Sequence, residues 1–145
     1  MYKPLVDAIL QGDLKAFDTA LYDETLQKRF LDLGLYIIVE KTREICLRGL
    51  FRKVYVQQSF VCELTKPSFN SWLVLEKPTR IPISMFHAGL RIAGQDIPVE
   101  EAECLTAVMI FKGYIRGYIS HEKQTVVLAT SGAFPSLTQR PNPYA

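Results

Sequence analysis

The stretch that most constrains this chain is residues 105–128, LTAVMIFKGYIRGYISHEKQTVVL. Its first part is apolar and free of proline, and Gly113 stops it. From Tyr114 to Ser120 the side chains then alternate with the period of a strand. Ile115, Gly117 and Ile119 fall on one side, and Tyr114, Arg116 and Tyr118 on the other. His121, Glu122, Lys123 and Gln124 form a turn, and residues 125–129 return. The stretch therefore reads as the end of a helix, a glycine stop and a two-stranded hairpin.

The residues before it are helical. Leu5, Ala8 and Ile9 recur at helical spacing, and Gly12 suits a left-handed cap. Asp13 can cap the next helix, whose apolar face is Leu14, Phe17 and Leu21. A further amphipathic segment turns Leu26, Phe30 and Leu33 inward and ends at Gly34. Short antiparallel helices of this kind stack as a helical repeat, and about one and a half repeats are too few to stand alone. Residues 35–60 are the longest periodic stretch. Leu35, Ile38, Val39, Thr42, Ile45, Cys46, Gly49, Leu50 and Val54 share one broad face. A single helix of about 25 residues would span roughly 38 Å. Along it Glu44 and Arg48 make a favourable i,i+4 pair, and Lys41, Arg48 and Arg52 share a stripe beside Lys53.

Residues 66–79 read as a loop with an apolar island that includes Phe69 and Trp72. The island either packs back on the core or anchors a partner. Arg80, Ile81 and Pro82 suit a short edge strand, where proline is tolerated. Ser84 is placed to cap a helix that turns Phe86, Leu90 and Ala93 inward and stops at Gly94. The next helix starts near Pro98, with Ala102, Leu105 and Met109 in the core and Cys104 and Val108 widening that face. Helix, helix and hairpin together have the layout of a winged-helix unit. The expected organisation is a helical-repeat part with its long connecting helix at 1–60, an insert at 61–79, a winged helix at 80–132 and a surface tail at 133–145. The fold class is mainly α with a small β-hairpin wing.

Composition excludes little. Hydrophobic residues make up 48% and charged residues 22%, so a globular core is expected. A net charge of +2 is too small to mark a nucleic-acid binder, so any basic function must be local. The three cysteines form no CxxC pair, and Cys46 and Cys104 read as buried free thiols of a reducing compartment. No apolar run approaches about 18 residues, which predicts a soluble, intracellular protein without a membrane partner. The abrupt helical start suggests the C-terminal piece of a longer chain. No P-loop, GxGxxG, HExxH or nucleophile elbow is present. His87 and His121 have no ligand-like neighbours at metal spacing, and Asp13, Asp18 and Asp23 read as solvent-facing helix charges. The expectation is no catalytic residue, no metal and no cofactor.

What is left is surface. A helix-turn-helix reader meets base edges with the start of its second helix. Here that start carries Glu100, Glu101 and Glu103, which would repel phosphates. The cations lie at its far end and on the hairpin, as Lys112, Arg116, His121 and Lys123, with Tyr114 and Tyr118 between them. Either this is an ordinary solvated hairpin, or it makes sequence-tolerant nucleic-acid contacts together with Arg52 and Lys53. Arg48, Thr125, Val127, Phe69 and Trp72 are the candidates for protein partners.

Several segments carry a family resemblance. Glu40 and Lys41, followed by Arg48 and by Leu50 to Tyr55 (LFRKVY), resemble the EK…RNLFKKVY segment of one branch of the PCI-domain family. RIPI from Arg80, EAECL from Glu101, KGYIRGYISH from Lys112 and AFP from Ala133 resemble that branch too. The branch holds the PCI subunit of the transcription-coupled nuclear mRNA-export complex and a COP9-signalosome-associated paralogue. Gly49 departs from the usual asparagine, and the 66–79 loop is longer than in the animal export subunit, which points to a fungal-type protein. The wing, SHEKQTVVL, leans to the signalosome-associated type. The resemblance implies a non-catalytic scaffold in the nucleus. It would pair with a second PCI protein through its winged helix, bind a small acidic Sem-type subunit and contribute to RNA or DNA binding within an mRNA-processing complex. The alternative is a structural subunit of the signalosome and ubiquitin pathway without nucleic-acid contact.

Overall fold

In the computed structural model, which describes residues 2–64 and 79–140, the expected α-rich architecture with a small antiparallel sheet is present. Helix α1 (Lys3–Gln11) ends at Gly12, whose φ is 62°, and the Asp13 N–H donates to the Ala8 carbonyl at 2.9 Å. Asp13 then caps α2 (Leu14–Leu21) by accepting from the Ala16 N–H at 3.0 Å. Asp23 caps α3 (Glu24–Asp32) by accepting from the Thr25 and Leu26 N–H groups. Asp13 thus caps as expected, and Asp23, read as a solvent charge, is a capping group too.

The single long helix expected over 35–60 is two helices, α4 (Tyr36–Lys41) and α5 (Arg43–Leu64). Thr42 breaks the run. Its hydroxyl and its N–H both donate to the Val39 carbonyl, at 2.6 and 3.0 Å, which tightens the turn. The break changes which residues face inward and takes Lys41 off the Arg48–Arg52 helix. Cys46, Leu47 and Phe51 are the buried face of α5, whereas Ile38 is 61% exposed. Leu33 also lies outside the core.

Helix α5 packs against α1 and α2 on one side and α6 (Ile83–Ile92) on the other. Phe51 meets Phe86 with ring centroids 4.9 Å apart, and the same core holds Phe17, Leu21, Phe30 and Leu90. Ser84 does not cap α6. The preceding Pro82 takes the cap position without a side-chain bond, and the Ile83 N–H donates to Gln124 of the hairpin at 2.9 Å. Helix α7 (Val99–Phe111) buries Ala102, Thr106 and Met109, while Cys104 and Val108 point outward. Thr106 is accommodated because its hydroxyl donates to the Ala102 carbonyl at 2.8 Å.

After Gly113, at φ 74°, Tyr114 and Ile115 are buried and their N–H groups both turn back to the Met109 carbonyl. The strand therefore starts later than the alternation suggests, at β2 (Gly117–Ser120). With β1 (Arg80–Pro82) and β3 (Thr125–Leu128) it forms an antiparallel sheet of order β1-β3-β2. Val127 faces Arg80 on one side and Tyr118 on the other. Of residues 133–145, read as a surface tail, the first three are instead held in the fold, whereas 136–139 are exposed. Ala133 and Pro135 are buried, Phe134 stacks on Tyr55 at 5.5 Å, and the Ala133 carbonyl accepts from the Arg116 N–H at 2.8 Å.

Candidate interaction surface

The cations singled out from the sequence have different fates. Lys112, at the C-terminal end of α7, forms an ion pair with Glu44 on α5. Glu44 thus bridges two helices rather than pairing with Arg48 one turn on. Arg48 donates through Nη2 to the Pro135 carbonyl at 2.7 Å and to that of Phe134 at 3.4 Å. It brackets the C-terminal strap onto α5, which is an internal role rather than an exposed partner contact. Its Nε is buried without a hydrogen-bond partner, and burial, followed by the neighbouring Arg52 charge, lowers its pKa.

His121 at the hairpin turn lies 2.8 Å from a Glu103 oxygen through Nδ1, and Gln124 donates to the other Glu103 oxygen at 3.3 Å. The His121 contact is the main reason that the Glu103 pKa falls below its ordinary value. The acid near the start of α7 and the exposed histidine of the wing therefore contact each other.

Arg116, Lys123 and Tyr118 stay exposed on the hairpin, Tyr118 at 63%. Tyr114 does not join them, because its ring is buried beneath the Arg140 guanidinium at 4.4 Å. Arg52 and Lys53 are exposed on α5, in a groove of about 650 Å³ that includes no hairpin residue. The nucleic-acid candidates Lys112, Arg116, Tyr118, His121, Lys123, Arg52 and Lys53 are thus not gathered into one surface by shared contacts. Thr125 and Val127 lie on the central strand, whose main chain pairs on both sides, so among the described residues β1 and β2 are the edge strands. Phe69 and Trp72 lie outside the described residues.

Two features escaped sequence reasoning. Asp18, read as a solvent charge, accepts a forked pair of bonds from Arg43, at 2.7 and 2.9 Å, and a third from Gln95 at 3.0 Å. It ties α2 to α5 and to the loop after α6. The strap is the other, and its one sequence signal is the apolar run Ala133-Phe134-Pro135. Among the described residues no group of three His, Cys, Asp or Glu side chains could hold a metal ion, and no helix is long and apolar enough to cross a membrane.

Against known proteins, the PCI domain family model matches residues 22–130. The chain is 38% identical over 136 residues to Protein CSN12 homolog of Schizosaccharomyces pombe, covering 93% of this chain and 27% of that protein. It is likewise 38% identical over 136 residues to Protein CSN12 homolog of Neurospora crassa, covering 93% and 28%. Enhanced ethylene response protein 5 of Arabidopsis thaliana is 30% identical over 140 residues, covering 97% and 30%. The chain thus spans under a third of the length of these relatives.

Proposed function

Because this chain belongs to the PCI-domain family, we propose that it is a non-catalytic scaffold segment of a CSN12-type, signalosome-associated subunit. The observation that carries this reading is the disposal of charge. Lys112 is paired with Glu44, and the His121 ring is hydrogen-bonded to Glu103, so two of the four basic side chains named on the wing side already have an acidic partner within the chain. The names of the similar proteins point the same way. A winged helix with β2 as an edge strand and few uncompensated cations suits protein pairing better than phosphate binding. Its partners are a second PCI protein, met through the wing, and a small acidic Sem-type subunit.

A second reading is favoured by one specific feature. Arg116, Tyr118 and Lys123 are all exposed on the hairpin, a cation and aromatic combination that can hold single-stranded RNA or DNA in a nuclear mRNA complex. The two readings part on salt dependence. Fluorescence anisotropy of labelled oligouridine with the full-length protein and its PCI partner would be followed across a salt series. The scaffold reading expects weak binding that Arg116→Glu with Lys123→Glu does not change. The nucleic-acid reading expects the slope of log affinity against log salt to flatten by about 0.7 for each reversed contact.

A further inference from the structure

The chain beyond the sheet changes character at one residue. Ala133 and Pro135 are buried, whereas residues 136–139 are exposed. Ser136 stands at the change. The carbonyl before it, that of Pro135, is held by Arg48 Nη2 at 2.7 Å, and the residue after it, Leu137, lines the groove between α1 and α5. Its backbone is extended, at φ −62° and ψ 150°, and its hydroxyl lies 3.2 Å from that of Thr138. Arg48, Arg52 and Lys53 line the same groove, and no aspartate or glutamate is among the described residues that do. Burial, and after it the Arg52 charge one helical turn on, lowers the Arg48 pKa. The cations on this face of α5 therefore repel one another beside a serine hydroxyl that is open to solvent.

We propose that Ser136 is a phosphorylation site, and that Arg52 and Lys53 receive its phosphate and lock the strap onto α5. A protein kinase supplies the group from ATP. The Oγ–P bond forms as the bond between the γ-phosphorus and the departing ADP oxygen breaks, and the hydroxyl proton passes to the base of the kinase. The product carries a charge of about −1.5 to −2 and three strong acceptor oxygens. Beside arginine and lysine such a group makes charge-assisted bonds that order a segment. The tether decides in favour of a phosphate carried by this chain. Ser136 is fixed by Pro135 on one side and by Leu137 on the other, so its phosphate meets the cations at a high effective concentration. Thr138 lies beyond Leu137 from the Arg48 anchor, and its hydroxyl is placed to donate to the new phosphate. The inference concerns how the strap is held, and it stands whether or not the scaffold reading does.

The full-length protein, isolated from its own cells with phosphatase inhibitors, is mapped by mass spectrometry, and phosphate is expected on Ser136. In parallel, full-length protein with genetically encoded phosphoserine at position 136 is compared with unmodified protein. The readout is hydrogen exchange of the Gln139 N–H, which donates to the Ser136 carbonyl at 3.0 Å. Exchange should slow about tenfold on phosphorylation at low salt, and high salt should remove most of that gain. In an Arg52→Glu with Lys53→Glu background the phosphate should bring no slowing. Both positions are exposed, and circular dichroism checks that the fold is kept. Arg116→Glu on the hairpin should leave the gain intact. Equal exchange in the phosphorylated and unmodified proteins overturns the proposal. So does a gain that survives reversal of Arg52 and Lys53, and so does native protein in which Ser136 carries no phosphate.

Discussion

Gly12 and Gly49 bring the backbones of α1 and α5 into direct contact. A Cβ on Gly12 would lie 2.7 Å from the Gly49 carbonyl carbon and 2.8 Å from the Leu50 nitrogen, both backbone atoms that cannot swing aside. Gly12 also holds a φ of 62°, where a side chain is strained. Gly12→Ala should therefore cost about 2–4 kcal/mol, from left-handed strain and overpacking combined. Gly49→Ala meets the Gly12 Cα at 3.1 Å, a tight contact, but gains about 1 kcal/mol of helix propensity inside α5. Its net change should stay within about 1 kcal/mol. Urea unfolding of the two variants checks the difference, and equal losses would contradict it.

The Asp18 clasp makes a separate prediction about the helical part. Asp18 and Arg43 are partly buried, and the Asp18 hydrogen bond is the first cause of the raised Arg43 pKa. Asp18→Ala leaves the Arg43 fork and the Gln95 amide without their acceptor. It should destabilise the protein by about 1–3 kcal/mol, and Asp18→Asn by less, because one acceptor oxygen remains. Thermal unfolding of both variants reads the order, and a null effect for Asp18→Ala would mean the clasp is solvent-screened.

Cys46 and Cys104 should differ sharply in reactivity. Burial, helped by Asp13 and Asp18, pushes the Cys46 thiol up from 9.0 to about 11, while Cys104 lies exposed on α7. At neutral pH a maleimide should label Cys104 rapidly and Cys46 only on unfolding. The sign of the pH effect follows. The unfolded thiol ionises at a lower pH than the folded one, so the protein loses stability as pH rises from 9.0 to about 11. Mass spectrometry of the labelled peptides separates the two sites.

The hairpin clasp works in the opposite direction. The His121 contact lowers the Glu103 pKa from 4.5, so its contribution is present above that pH and disappears as pH falls through the lowered value. In a Glu122→Gln background, the amide resonances of His121 and Gln124 should shift more across that acid range than they do when Glu103→Gln is added. Identical titrations in both proteins would refute the clasp.

Much of the fold was legible because its punctuation is local. Gly12, Gly34, Gly94 and Gly113 all adopt positive φ where the helices were expected to stop, and Asp13 caps where it was expected to cap. The hairpin, its turn and the proline-bearing edge strand follow from alternation and turn chemistry. The inward face of α5 was misread because a periodic run shows no sign of the Thr42 break, which depends on a hydroxyl bonding back to Val39. The candidate surface was less legible, for a reason of distance along the chain. Lys112 finds Glu44 across 68 residues, and Arg48 finds the Pro135 carbonyl across 87. A cation looks available in a sequence until its partner folds beside it.

The pairing proposed above, of the wing with a second PCI protein along its β2 edge, is read out by purification of the full-length protein with whatever it carries. Tagged wild type and Tyr118→Asp, which places a charge on that exposed strand, would be purified in parallel and their partners identified by mass spectrometry. The account predicts a stoichiometric PCI-domain partner with the wild type that is lost or strongly depleted with Tyr118→Asp. Wild-type protein that purifies alone, or a PCI partner retained equally by both, would contradict it.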